Sequence, residues 1–130
     1  MKKIVTTLFF SLFAILATAQ SHKNKCGVEV VKAYTQELLG KNVGYYVEFK
    51  NTSDKTVDAI EWKANFYSAF GEVKGNREGS WSSGNFIKPV DPNAKIVDLQ
   101  SNWVDGANKV FIYVTRVHFT DGSVCGVKKK

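Results

Sequence analysis

Apolar and polar residues alternate most regularly between Gly44 and Phe70. Tyr45, Val47 and Phe49 fall on one phase, with Tyr46, Glu48 and Lys50 on the other. Further on, Ile60, Trp62, Ala64 and Phe66 alternate with Glu61, Lys63, Asn65 and Tyr67. A period of two predicts strands with one dry face and one wet face. Between them, Asn51-Thr52-Ser53-Asp54-Lys55 supplies side chains that bond back to the main chain, which predicts a tight corner.

The same reading extends outward from this pair. Gly27 to Thr35 is β-branched and aromatic, and its adjacent valines, Val30 and Val31, predict a bulge that shifts the phase. Gln36 to Leu39 could open a short helix, but Gly40-Lys41-Asn42 fits a hairpin turn better. Gly71 to Ser83 is rich in Gly, Ser, Asn and charge and is expected to be a loop. Asn85 to Lys88 is expected to be a short edge strand, interrupted by Pro89 and Pro92. Ala94 to Leu99 is a further strand and Asp105-Gly106-Ala107-Asn108 a turn. Lys109 to Thr120 is apolar on both phases, as in a central strand or one with a bulge. Asp121-Gly122 signals a hairpin into a last strand over Ser123 to Val127. Seven short strands with almost no helix signal predict an all-β fold, a two-sheet antiparallel β-sandwich of immunoglobulin-like type. Trp62 suits the place where such domains bury a tryptophan.

The first nineteen residues read as a targeting segment. Lys2 and Lys3 form a basic head, Ile4 to Leu16 an apolar run, and Ala17-Thr18-Ala19 a small-residue cleavage pattern, so cleavage is expected before Gln20. The apolar run is short for a membrane span, and no second one follows. The expectation is one soluble domain over residues 20–130, secreted or periplasmic, monomeric, with a leader of bacterial appearance. The full chain carries +6. Without Lys2 and Lys3, sixteen basic residues face twelve acidic ones, roughly +4. Part of that excess sits in the tails, at His22, Lys23, Lys25 and Lys128 to Lys130. A field this slight does not fit nucleic-acid binding.

Two cysteines, Cys26 and Cys125, lie at opposite ends of the mature chain. In an oxidising compartment an isolated pair is expected to form a disulfide, here tying the first strand to the last and bringing both basic tails to one pole. This is not the antibody pattern, in which the second and sixth strands are joined.

Phe49-Lys50-Asn51-Thr52-Ser53-Asp54-Lys55-Thr56-Val57, followed by Phe66-Tyr67 and Gly71-Glu72-Val73, resembles the FxLYD-type extracellular domains over about a quarter of the chain. In these, a strand ends in an Asn-Thr-Ser-like corner and the next ends in an aromatic pair before a glycine turn. Where the family's naming motif would fall, the chain has Ala64, Phe66, Tyr67 and Ser68, matching at the tyrosine alone. The resemblance implies an immunoglobulin-like fold in a secreted or surface protein, with no catalytic residues to carry over.

Little chemistry is suggested by the remaining polar residues. His118 shares a strand face with Arg116 and Thr120, and no nucleophile elbow accompanies it, so a surface histidine outweighs a small hydrolase. No zinc or calcium ligand spacing is present, and neither a metal nor a cofactor is expected. Asn51-Thr52-Ser53 is formally a glycosylation acceptor, but its corner role is the better account. The aromatic surplus is the most informative feature. Trp81, Trp103 and Tyr46, with Phe86 nearby, have no evident core position and are the candidate binding aromatics, although Trp81 and Trp103 could instead cap the ends of the core. The expected role is non-catalytic: protein–protein interaction at the envelope or outside the cell, or alternatively glycan binding through the same aromatics.

Overall fold

A computed structural model of the chain describes residues 22–23, 26–38, 41–101 and 104–126. The predicted leader, the Gly40 turn position, Trp103 and the Lys128 to Lys130 tail lie outside the described residues. Those described form strands β1 (His22–Lys23), β2 (Val28–Leu38), β3 (Lys41–Asn51), β4 (Val57–Tyr67), β5 (Val73–Ser82), β6 (Lys95–Gln100), β7 (Lys109–Phe119) and β8 (Val124–Gly126), with no helix among them. Two antiparallel sheets result, in the orders β1-β2-β3-β6 and β5-β4-β7-β8. They pack face to face as a β-sandwich, as the alternation predicts.

The inward phase of each strand fills the space between the sheets. Val28, Val30, Tyr45, Val47 and Phe49 come from the first sheet; Ile60, Trp62, Ala64, Phe66, Ile112 and Val117 come from the second. The Val30–Val31 bulge is present: pairing with β3 slips between Val30 and Lys32, so Val30 and Ala33 both point inward. A second slip lies opposite Glu61 and Trp62 on β7, which lets Val110 and Ile112 share the core with Val117 and Phe119. That bulge explains why the apolar phase of β7 changes after Val114, while Phe111 and Tyr113, on the other phase before it, are exposed on the outer face of this central strand. The Trp62 indole donates to the buried Tyr45 hydroxyl at 2.8 Å, which answers the polar atom on each of two core rings.

Two local expectations are corrected. The stretch from Gly71 to Ser83 is not a loop: most of it is β5, the edge strand of the second sheet. Its alternation is invisible because an edge strand needs few apolar residues, and Gly75 and Gly79 occupy inward positions where large side chains would be looked for. Gly79 lies opposite Trp62, whose ring fills the space a β-carbon would take. Conversely, Asn85 to Lys88 forms no strand. It is a bend closed by hydrogen bonds between Gly84 and Ile87, and pairing resumes at Val90, which bridges to Val57. Gln36 to Leu38 continues β2 and pairs with Lys41 and Asn42 at the start of β3, the hairpin preferred to a helix at this point.

The chain crosses between sheets at the corner after β3, and Asn51 organises it. Its side chain is buried and fully engaged: Nδ2 donates to the carbonyls of Lys55 (2.7 Å) and Val90 (2.9 Å), while Oδ1 accepts from the Ser53 main-chain N–H (3.0 Å) and hydroxyl (2.6 Å). With both amide hydrogens committed inside the protein, Asn51 is held as a corner residue and is closed to a glycan in the folded state.

Cys26 and Cys125 are joined by a disulfide, with their α-carbons 5.6 Å apart. Cys26 precedes β2 in one sheet and Cys125 lies on β8 in the other, so the bond staples the two sheets together along one flank.

Candidate binding surface

The outer face of the first sheet carries a row of exposed large side chains fixed by strand register. Tyr34 of β2 lies opposite Tyr46 of β3, which lies opposite Leu99 of β6. The next row holds Lys32, Glu48 and Val97. Tyr34, Val97 and Leu99 are 41%, 53% and 57% exposed, and Tyr46 is half-buried between its neighbours. The two tyrosine rings stack at 4.7 Å between centroids with an 18° interplanar angle, and Lys32 Nζ stands 5.6 Å from the Tyr46 ring. Tyr46 donates its hydroxyl proton to Glu48 at 3.1 Å, and Lys95 holds the same carboxylate at 3.6 Å. Burial, followed by the bond to Glu48, raises the Tyr46 phenol above its ordinary pKa. Stacked cross-strand aromatics of this kind contribute up to ~1 kcal/mol to a sheet. They also leave a semi-rigid apolar surface in water.

The outer face of the second sheet has a different character. Tyr67 and Phe111 meet edge to face at 5.8 Å, and Tyr113 is exposed beyond them. Arg116 grips Glu61 with Nε at 3.0 Å and Nη2 at 2.9 Å, and this bond raises the guanidinium pKa still further. His118 Nδ1 lies 2.5 Å from Asp58 Oδ1. This is the surface placement expected of His118. Among the described residues no hydroxyl is bonded to its other nitrogen, and no cluster of three or more metal-ligating side chains occurs. No helix among them is long and apolar enough to cross a membrane.

The candidate aromatics separate. Trp81 points inward from β5 opposite Ile60 and packs on the core, which agrees with the capping alternative and not with an exposed ligand platform. Phe86 stands at the tip of the Gly84–Ile87 bend, 99% exposed. Tyr46 is on the outer face, in company that alternation alone did not reveal. Tyr34, Val97 and Leu99 read only as strand formers in the sequence. Their convergence follows from the β2-β3-β6 register, for which the chain carries no local signal.

Comparison of the chain with protein-family models, curated proteins and solved structures finds no match.

Proposed function

We propose that this chain is an exported, non-catalytic binding domain of immunoglobulin-like type, docking a protein partner on the outer face of its first sheet. The observation that carries this reading is the Tyr34–Tyr46–Leu99 row with Val97 beside it, an apolar patch held rigid by stacking and rimmed by Lys32, Glu48 and Lys95. Interfaces favour such aromatic anchors with a charged rim. The immunoglobulin-like assignment is supported by the strand order, with β2-β3-β6 facing β5-β4-β7-β8 and a buried tryptophan on β4. The Asn51 corner supports the likeness to FxLYD-type domains. Export is supported by the leader pattern together with the disulfide, which persists in oxidising compartments.

Protein recognition is preferred to glycan binding because the tyrosines face one another, which occupies flat ring surface that a sugar would need. The test compares wild type with a Tyr34→Ser/Tyr46→Ser variant. Proteins of the native envelope retained by wild type are identified, and the purified partner is titrated against both forms. Binding at least about tenfold weaker in a variant of unchanged melting temperature is expected. Equal binding by the two forms would remove this face from the function. Glycan-array binding lost in the variant would instead favour the carbohydrate reading.

A further inference from the structure

We infer that β6 is a strand-acceptor edge: an extended peptide from a partner protein, apolar at alternate positions and bearing a carboxylate, adds to it as a new strand of the first sheet. This presupposes the protein-binding role proposed above and specifies its site and its partner's chemistry.

β6 ends its sheet, and among the described residues no strand pairs with its far edge. Asn51 N–H bonds to the Ala94 carbonyl, in the same register that sets Phe49 against Ile96 and Val47 against Asp98. In an antiparallel ladder the backbone groups of alternate residues point to opposite sides. Ile96, Asp98 and Gln100 therefore face β3, while Lys95, Val97 and Leu99 present their N–H and carbonyl groups outward. The outward Leu99 N–H is already taken by the Asp98 carboxylate at 3.1 Å, so the donors left to an added strand are those of Lys95 and Val97.

Beside this edge runs a groove along the open flank of the sandwich. Trp81 and Val90 form its buried base, Ala94 and Ile96 its wall on the β6 side, and Ile87 and Pro89 its opposite wall. The connection from Ser83 to Asn93 passes this flank mainly as bends and turns, without supplying a strand of its own. A strand placed against β6 would lay one set of side chains on Trp81 and Ile96. Its other set would continue the Tyr34–Tyr46–Leu99 row by one position.

The competing edge is differently built. β5 carries Lys74, Asn76, Arg77 and Glu78 with two glycines, the usual protection of an exposed edge. β6 has Ile96, Val97 and Leu99 among six residues. Lys88 and Lys95 flank the groove against Asp98, and Lys88 has no ion-pair partner among the described residues. The rim thus favours a carboxylate on the incoming peptide. A second copy fits less well: two-fold pairing about Val97 would set Lys95 against Leu99 and Ile96 against Asp98, with no charge matched.

The probe is a dye-labelled peptide of about eight residues, valine alternating with threonine or glutamate, titrated by fluorescence anisotropy. Val97→Pro removes an outward N–H without touching the β3 ladder and is expected to weaken binding about tenfold, whereas Val97→Thr keeps the N–H and stays within about twofold. Lys88→Glu is expected to weaken it severalfold, an effect that fades with salt. Independently of any variant, peptide should slow amide exchange at Lys95 and Val97 in the wild type. Equal binding by Val97→Pro and wild type, or no slowing at those amides with peptide bound, overturns strand addition. If the envelope partner binds Val97→Pro normally but is lost from Tyr34→Ser/Tyr46→Ser, the groove is excluded while the outer-face reading stands. Loss from neither variant removes both. Self-association abolished by Val97→Pro would assign the edge to a second copy and overturn the foreign-peptide assignment.

Discussion

Asn51 shows how one buried polar side chain can define a corner. Removing it takes one of two donors from each of the Lys55 and Val90 carbonyls, which keep the Ser53 hydroxyl and the Val57 N–H, and leaves the Ser53 N–H without its acceptor, so Asn51→Ala is expected to cost ~1–3 kcal/mol in urea unfolding. Gly79 makes the reverse case, a position defined by what is missing. Gly79→Ala drives a methyl group into the Trp62 ring, which is locked by its bond to Tyr45, and a loss of ~1–3 kcal/mol is expected. Asp121 supplies a pH signature. Hydrogen bonds from the Ser123 hydroxyl and N–H, with Lys55 beside them, lower its carboxyl pKa to about 2. A depressed folded-state pKa stabilises above the unfolded value near 4, and that stabilisation drains away as pH falls from about 4 to about 2. Stability measured across that window should therefore slope less steeply in Asp121→Asn. Corner chemistry at Asn51 was legible because Asn, Thr and Ser announce themselves locally. Trp81 was not, because glycines and charges on either side conceal the strand that turns it inward.

At the scale of elements, alternation located β3 and β4, apolar runs between turn signals located β6 and β7, and the doubled valine located the bulge in β2. These elements have one dry face, so their composition follows their geometry. β5 escaped because one edge is unpaired and its inward positions include glycines. The expected strand at Asn85 to Lys88 failed because two apolar residues, Phe86 and Ile87, stand at an exposed bend rather than over a core. The outer-face row was beyond local reading for a further reason. Tyr34, Tyr46 and Leu99 are far apart in sequence, and only the antiparallel register of three strands makes them neighbours. The disulfide was legible from the cysteine number and an expected compartment, while the sheets it joins were not. Across a sequence separation of 99, chain entropy assigns it about 4–5 kcal/mol. Cys26→Ser/Cys125→Ser should lose close to that amount in denaturant titrations while keeping its β-sheet dichroism.

For the molecule as a whole, the two flanks of the sandwich are unequal. One is stapled by Cys26–Cys125; the other, between β5 and β6, is open and holds the groove. The staple also decides what happens when the two ends are pulled apart. Cys26 and Cys125 enclose every strand from β2 to β7, so tension applied through the tails passes across a 5.6 Å span and bypasses the body between them. Stretched by its ends, the oxidised protein should lengthen only by its tails, and the long extension of an unravelling domain should appear in force spectroscopy only after reduction. The packing of the two sheets, and with it the outer face of the first, would therefore keep its shape under load for as long as the bond is oxidised.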